Sequence, residues 1–433
     1  MFLQPAAGVA FLGASGSYVA ALPILNSRFV GGVTIALSGL FCAWYAQRKR
    51  DVISETENFV PALALIWGAA WWLGAGWNEI RLFCEATYVR DDQLLYAAAS
   101  ALGFSFLRRK LDWSLAAYGA LALLPIMVLF AGLMLDVRAH PLADLGLLAW
   151  PLAFAAIYAV LFGLERDYEG KIARGGHCVA LWLLAALAGW ECSWQLDALV
   201  GDGRIWSQIG RPLVPALLAA WIATRGGDTH WPLSAHYRSY AVHAMVPIMV
   251  ALWLWILYIN FASDGNPRPL PYVPLLNPLD ITIGLIAVIF MQWRRVLERL
   301  APSGLEALMR GAMAWVGATG FVWANGVLLR TLHLWAEVPF RLDQMLRSTL
   351  VQASFSVFWT LLALGGMVFA NRRRIRSLWV CGAALLAVVV VKLFLIDLQK
   401  IGGVERIVSF LGVGVLMLVI GYLAPVPPRA EEK

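Results

Sequence analysis

The sequence predicts an all-α fold, a polytopic bundle of transmembrane helices with about 14 spans. The first observation behind this prediction is composition. Of the 433 residues, 61% are hydrophobic and 14% are charged, and the mean hydropathy is +0.70, whereas soluble domains average roughly 45–50% apolar and about 25% charged residues. The second is that apolar runs of about 20 residues, the length of a spanning helix, recur along the whole chain. The third is that the polar connections between them are too short for a soluble domain.

The apolar runs define the predicted spans in chain order. Segment 93–107 is short, and segment 210–224 carries Arg211 and two prolines, so either could be half-spanning or tilted. The predicted spans are 6–24, 29–46, 59–79, 93–107, 113–135, 144–164, 177–194, 210–224, 240–261, 278–293, 310–330, 349–370, 377–396 and 405–424.

Basic residues gather on one side of the predicted membrane. About 21 of the 34 Lys and Arg residues follow even-numbered spans or lie in the C-terminal tail, as in Arg48–Arg50, Arg108–Lys110 and Arg372–Arg374. Because loops rich in Lys and Arg stay in the cytoplasm, the even-numbered connections and both termini are expected inside. The net charge of +7 then reflects orientation, and nucleic acid is not expected as a partner.

The cysteines and the common catalytic motifs give no indication of a cofactor. No two of the five cysteines form a CxxC pair, so neither a zinc site nor a disulfide framework is indicated. The sequence also contains no HExxH, GxSxG or Walker motif. Neither a metal nor another cofactor is therefore expected.

Three segments resemble one another and suggest an internal repeat. Each is an apolar helix whose outer end carries Trp and a polar residue, in 71–83, 184–196 and 320–332. Repeated groups of spans are common in membrane bundles, although Trp-rich helix ends alone could produce this likeness. The chain is then one integral membrane domain, 1–433, composed of a half unit 1–50 and four-helix units 58–165, 175–295 and 308–425.

The most specific patterns lie in the C-terminal quarter. They are Arg330-Thr-Leu-His333, the run from Ser348 to Gln352, the run from Lys392 to Asp397, Arg406-Ile-Val-Ser409, and the glycine-rich stretch from Gly412 to Tyr422. Over residues 320–425 the chain resembles the bacterial membrane-protein family of domain of unknown function 2339. The resemblance implies a multi-pass protein of the bacterial cytoplasmic membrane and brings no activity with it. Family members are often longer, so the chain is expected to be a short member or a C-terminal piece.

Polar residues at the outer ends of the spans are the first candidates for chemistry. Asn325, Arg330 and His333 lie near the end of one helix, and Arg330 and His333 share a face because they are three residues apart. His333 beside an arginine could act as a general base or bind an anionic headgroup, and Asn325 and Arg330 are candidate binding residues. The alternative is that Arg330 reaches the interface and His333 is a hydrated loop residue.

Two acidic residues occupy similar places in the first two predicted four-helix repeats, 58–165 and 175–295. Glu79 and Glu191 are candidate catalytic acids, and Trp190 and Trp194 flank Glu191 four residues apart. Tryptophan faces beside a carboxylate suit a carbohydrate or a polyprenyl-linked sugar. They equally suit an interfacial aromatic belt, and both glutamates could instead connect helices.

The end of the penultimate span carries a third group of candidates. Lys392 lies about one turn inside the membrane boundary, so its ammonium group must reach the interface or find a partner. Asp397 is a candidate partner, and Lys392, Asp397 and Arg406 could instead bind a substrate phosphate.

Three functions remain open from the sequence. The first is a non-catalytic membrane protein related to transport or to the cell envelope, with a cluster of polar residues facing outward. The second is a membrane enzyme acting on lipid-linked or envelope substrates at the outer face, by analogy with multi-span glycosyltransferases. The third is a scaffold for envelope proteins. Membrane lipids are the only partners expected in all three, and the oligomeric state is open.

The predicted orientation can be tested by thiol labelling. Single cysteines at positions 79 and 373 are expected to react with a membrane-impermeant reagent from opposite sides. Position 79 lies at the outer end of the third predicted span, and position 373 follows the inner end of the twelfth. Labelling both positions in intact cells and in inverted vesicles measures this. Reaction of both positions from the outside would contradict the topology.

Overall fold

The computed structural model describes residues 3–14, 22–50, 54, 57–165, 171–201, 204–300 and 306–393. Helices dominate these residues and no strand occurs among them, so the predicted all-α fold is confirmed for this part of the chain. The α-helices are α1 (Leu3–Ala14), α2 (Ser27–Arg48), α3 (Val60–Phe83), α4 (Val89–Lys110), α5 (Ala116–Leu121), α6 (Leu123–Met134), α7 (Gly146–Glu165), α8 (Lys171–Val200), α9 (Arg204–Arg225), α10 (Met245–Ala262), α11 (Pro278–Leu300), α12 (Glu306–Ala336), α13 (Leu342–Arg347), α14 (Thr349–Arg373) and α15 (Arg376–Lys392).

Seven helical stretches among the described residues are long and apolar enough to cross a membrane. Both weak predicted spans, 93–107 and 210–224, lie within full-length helices, because α4 and α9 each contain 22 residues. These two helices are not among the seven stretches, because α4 carries charged residues at both ends and α9 contains internal prolines. The last predicted span, 405–424, lies outside the described residues. The seven stretches are Ser27–Arg48, Val60–Phe83, Ala116–Met134, Gly146–Glu165, Ala173–Val200, Ser239–Ala262 and Thr349–Arg373.

The first predicted span, 6–24, runs beyond its helix. Residues 22–26 are bent and not helical, and Ile24 has a positive φ of 65°. Asn26 ends this segment as the N-cap of α2, because its side chain accepts a hydrogen bond of 2.8 Å from the backbone nitrogen of Phe29. Local hydrogen bonding at Asn26 therefore sets where α2 begins. Hydropathy alone placed the end of the first span, residue 24, too late.

The chain divides into two compact units. The first consists of Met1–Ile259 with Asn266–Trp315, and the second consists of Asn260–Gly265 with Val316–Lys433. The proposed four-helix repeats and the assignment of 1–433 to one membrane domain stay predictions.

Within the first unit, α2 and α3 pack through small residues. The buried face of α2 carries Gly32, Ala36, Gly39 and Ala43, and a side chain on Gly68 of α3 would meet the α2 backbone. Small residues allow two helix backbones to approach closely, which gives van der Waals contact where lipid supplies no hydrophobic driving force. The packing of α2 on α3 therefore depends on the absence of side-chain bulk.

A hydrophobic core of the first unit extends from α2 to α8. The helices α4 and α7 contact each other through faces rich in alanine, with Ala97 and Ala101 on α4 and Ala149, Ala153 and Ala156 on α7 all buried. These positions recur at spacings of three or four residues, as one face of a helix requires. The contact fixes α7, the helix that ends at Glu165.

An ion pair ties the start of α4 to the connection after α6. Arg138 binds Asp91 through two hydrogen bonds, of 2.9 Å to Oδ1 and 2.6 Å to Oδ2. The Asp91 side chain is fully buried, and this burial raises the pKa of its carboxyl group although Arg138 acts in the opposite direction. The two-point geometry offsets part of the desolvation of both charges.

The contact of α2 with α3 gives a stability prediction. Gly68→Ala places a Cβ 2.6 Å from the backbone nitrogen of Leu40, so the helices must separate, at a cost on the order of 1–3 kcal/mol. Gly74→Ala on the same helix is the matched control, because nothing lies within 4 Å of its added Cβ. Thermal unfolding in detergent measures the difference, and equal midpoints for the two variants would contradict the packing.

Candidate metal centre

Four helix ends of the first unit supply one polar cluster. Helix α7 ends at Glu165, α8 carries His177 two turns from its start, and the connection that follows α9 carries His236. This connection contains the turn Gly226–Asp228 and leads into a π-helical turn, Ser239–Ala244, at the start of α10. Such π-helical turns are rare in proteins, and those that occur are frequently found at functional sites.

The cluster is centred on one oxygen of Glu165. Its Oε1 lies 2.5 Å from His177 Nε2 and 2.8 Å from His236 Nε2. The three potential ligand atoms all lie within 4.8 Å of one another. The side chain of His177 is fully buried, and those of Glu165 and His236 are only 16% and 14% exposed. One carboxylate and two imidazoles therefore face a common point in a largely dry environment.

Aromatic side chains hold the outer atoms of these groups. Trp231 Nε1 donates a hydrogen bond of 2.8 Å to Glu165 Oε2, the oxygen that faces away from the histidines. The Tyr240 hydroxyl lies 2.8 Å from His177 Nδ1 and is itself buried. Both rings pack around His177 as well, with centroid distances of 5.8 Å for Trp231 and 5.6 Å for Tyr240. The orientation of Glu165 and His177 is thus fixed from outside.

The inner nitrogen of His236 differs from these groups. His236 Nε2 is buried, and its approach to Glu165 Oε1 lacks the alignment of a hydrogen bond. The two imidazole rings are stacked, with centroids 4.7 Å apart and an angle of 30° between their planes. A buried ring nitrogen without an aligned hydrogen bond is costly and can act as a metal ligand when the imidazole is neutral.

Glu79 belongs to a different network. It is buried near the end of α3, and its Oε1 accepts hydrogen bonds from the backbone nitrogen of Ile24, at 2.6 Å, and from Asn26 Nδ2, at 2.9 Å. Because Asn26 is also the cap of α2, this carboxylate connects the end of α3 to the start of α2. These contacts are those of a residue that joins helices.

Glu191 forms a third network with a histidine that the sequence analysis did not select. Its Oε2 lies 2.8 Å from His140 Nδ1 and accepts a hydrogen bond of 3.1 Å from the backbone nitrogen of Leu142. Trp194 stacks on the His140 ring with centroids 3.7 Å apart, while Trp190 Nε1 donates to a backbone carbonyl of the same connection. The two tryptophans thus hold the connection between α6 and α7 against α8.

In the second unit, Asn325 and Arg330 lie on α12 within separate hydrogen bonds. Asn325 Oδ1 accepts a hydrogen bond of 2.7 Å from Trp359 Nε1. Arg330 is fully buried and donates a hydrogen bond of 3.2 Å to Asn260 Oδ1. Its aliphatic stem packs against Gly265, whose φ of 73° and lack of a Cβ allow this approach.

His333 and Lys392 bind neighbouring polar groups of the second unit. His333 Nδ1 donates a hydrogen bond of 2.7 Å to the backbone carbonyl of Val338. Lys392 Nζ donates to the carbonyl of Gln352, at 2.9 Å, and to the hydroxyl of Ser356, at 2.8 Å. Two further predicted binding residues lie outside the described residues: Asp397 and Arg406.

The Glu165 cluster was not predicted from the sequence. Its three residues lie 12 and 59 positions apart in the chain, so they form no contiguous motif. One signal was present, because His177 is an ionisable residue within an apolar helix, and such residues are expensive and often functional. The histidine alone indicated a possible site, but its partners can be identified only from the fold.

The helices and their buried polar ends define a multi-pass helical membrane protein. The family described as "Predicted membrane protein (DUF2339)" matches residues 2–427, so the chain belongs to this family. The resemblance seen over residues 320–425 is confirmed and extends over nearly the whole chain. Comparison with characterised proteins and with solved structures gave no match.

The hydrogen bond between Tyr240 and His177 predicts a loss of stability when it is removed. Tyr240→Phe leaves His177 Nδ1 without this hydroxyl in a buried site, at a cost of about 1–3 kcal/mol. Tyr258→Phe is the matched control, because Tyr258 is 65% exposed on the same helical stretch. Thermal unfolding in detergent should show a lower midpoint for Tyr240→Phe alone, and unchanged midpoints for both would contradict the contact.

Proposed function

We propose that this protein is an integral membrane metalloprotein that binds one divalent transition-metal ion through Glu165, His177 and His236. The observation that carries the proposal is the buried Nε2 of His236, which faces a carboxylate oxygen and a second imidazole nitrogen. In this arrangement a metal ion satisfies all three inner atoms at once. The proposal departs from the expectation of no metal, which rested on cysteine pairs and contiguous motifs.

The ligand types support a transition metal. Two imidazole nitrogens with one carboxylate oxygen are the protein ligands of many catalytic zinc sites and of non-haem iron sites. Tetrahedral ligands about 2.1 Å from zinc lie about 3.4 Å apart, whereas Glu165 Oε1 is 2.5 Å and 2.8 Å from the two nitrogens. Lengthening each of these two oxygen–nitrogen distances by less than about 1 Å reaches this separation. Three protein ligands also leave a coordination position for another molecule.

The surrounding contacts support the same proposal. Metal-binding histidines usually use their second nitrogen for a hydrogen bond, and metal-binding carboxylates are hydrogen-bonded in turn. Tyr240 meets this condition at His177 Nδ1, and Trp231 meets it at Glu165 Oε2. These two contacts orient the inner atoms of Glu165 and His177 before a metal arrives, which reduces the reorganisation that binding requires.

The side of the membrane follows from the charge distribution. Arg174, Arg225 and Arg238 lie near the cluster in sequence and belong to connections that the basic-residue pattern assigns to the cytoplasm. We therefore place the metal at the cytoplasmic face of a bacterial cytoplasmic membrane. The count of 14 spans, the four-helix repeat and the cytoplasmic termini are part of the same proposal.

The proposed metal site favours some of the three functions left open by the sequence over the others. Glu79 and Glu191 each bind local partners, so they do not support an outward-facing polar cluster shared between them. An open metal position favours ligand binding or chemistry over a purely scaffolding role. A transport function and an enzyme acting on lipid-linked substrates stay predictions.

Metal analysis of the purified protein tests the proposal. After treatment with a chelator and reloading with Zn²⁺, elemental analysis is expected to find about one ion per chain. His236→Ala and Glu165→Gln should each reduce the bound metal several-fold, because the hydrogen bonds from Trp231 and Tyr240 cannot replace a ligand. His243→Ala is the matched control, since this exposed histidine belongs to the same π-helical turn.

Stability provides an independent measurement of the same site. A ligand that binds only the folded state raises the unfolding midpoint, so Zn²⁺ should stabilise the native protein and His243→Ala but not His236→Ala. Circular dichroism before loading shows whether each variant is folded. Absence of bound zinc in the folded native protein, or equal loading of all variants, would show that the cluster only connects helices.

A further inference from the structure

A pocket of about 270 Å³ adjoins the proposed metal centre. His236 belongs to both, because it lines the pocket and faces Glu165. The volume is slightly below the roughly 300–1,000 Å³ of pockets that hold drug-sized ligands, so a compact group suits it better than an extended molecule. The residues lining the pocket are Arg174, Ala235, His236, Tyr237, Arg238 and Ser239.

The pocket is rich in hydrogen-bond donors and positive charge. Arg174 and Arg238 supply guanidinium groups, Tyr237 supplies a hydroxyl group, and none of the lining residues carries a carboxylate. Planar guanidinium groups match the oxygens of phosphate particularly well.

The metal centre would add positive charge to the same region. A divalent ion with one carboxylate and two neutral imidazoles keeps one net positive charge, and three protein ligands leave a position for an anionic oxygen. The pocket and the metal centre meet at His236. Because His236 is shared, an anion held in the pocket lies next to the proposed metal centre.

We infer that this pocket binds a phosphate group, held by Arg174 and Arg238, with one phosphate oxygen coordinating the metal on Glu165, His177 and His236. This inference rests on the proposed metal site. The chemistry is the same for a soluble phosphate and for the phosphomonoester headgroup of a lipid. The pocket lies at helix ends, where both can reach it.

Cobalt substitution provides a direct test. The chelator-treated protein is loaded with Co²⁺, whose visible absorption bands depend on coordination, and metal content is measured separately. Inorganic phosphate is titrated in detergent, and in a second arm the protein is placed in bilayers of phosphatidylcholine with and without phosphatidic acid. We expect the bands to shift in at least one arm and to remain unchanged in phosphatidylcholine alone.

Arginine variants connect the shift to this pocket. The double variant Arg174→Gln with Arg238→Gln should bind Co²⁺ normally and weaken the phosphate-dependent shift at least tenfold. Arg225→Gln is the matched control, because it removes an exposed arginine at the end of α9 that does not line the pocket. The control should retain the native response.

The outcomes separate the two proposals. A shift with inorganic phosphate identifies a soluble phosphate as sufficient, and a shift only with phosphatidic acid identifies the lipid headgroup; both support the inference. Normal cobalt loading without a shift in either arm overturns the phosphate site and leaves the metal site intact. An unchanged shift in the double variant also overturns it. Failure to bind cobalt overturns both proposals.

Discussion

Polar groups that leave water inside an apolar helical bundle must find their partners within the protein. An unsatisfied group costs several kcal/mol in such surroundings, and this constraint explains where the charged residues of this chain lie. Asp91 is fully buried and binds Arg138 at two points. Glu79 is buried and accepts hydrogen bonds from the segment that caps the next helix. Each network therefore also connects two elements.

The Glu165 cluster obeys the same constraint with a different result. The outer atoms of Glu165 and His177 are hydrogen-bonded, to Trp231 and Tyr240 respectively. Its inner atoms converge, however, and one imidazole nitrogen among them has no aligned hydrogen bond. A network built only to connect helices gains nothing from this arrangement. A metal site requires it, because its ligand atoms must point to one position while their other atoms are held.

Close packing makes this arrangement possible. Alanine faces bring α4 and α7 together and fix the helix that ends at Glu165, while the π-helical turn before α10 follows directly after His236. Phosphate binding at the adjoining pocket would link the metal to the membrane surface or to the cytoplasm.

Composition and hydropathy determined the fold class, because an apolar segment in lipid has little choice except a helix that satisfies its own backbone. They also located weak helices such as α4 and α9. Helix boundaries were less certain, since the cap at Asn26 depends on local hydrogen bonds. The site depended on tertiary structure alone: Glu165, His177 and His236 are far apart in sequence and meet only where helix ends converge. Their chemistry is contained in the sequence, but the distances that make it a site are set by packing.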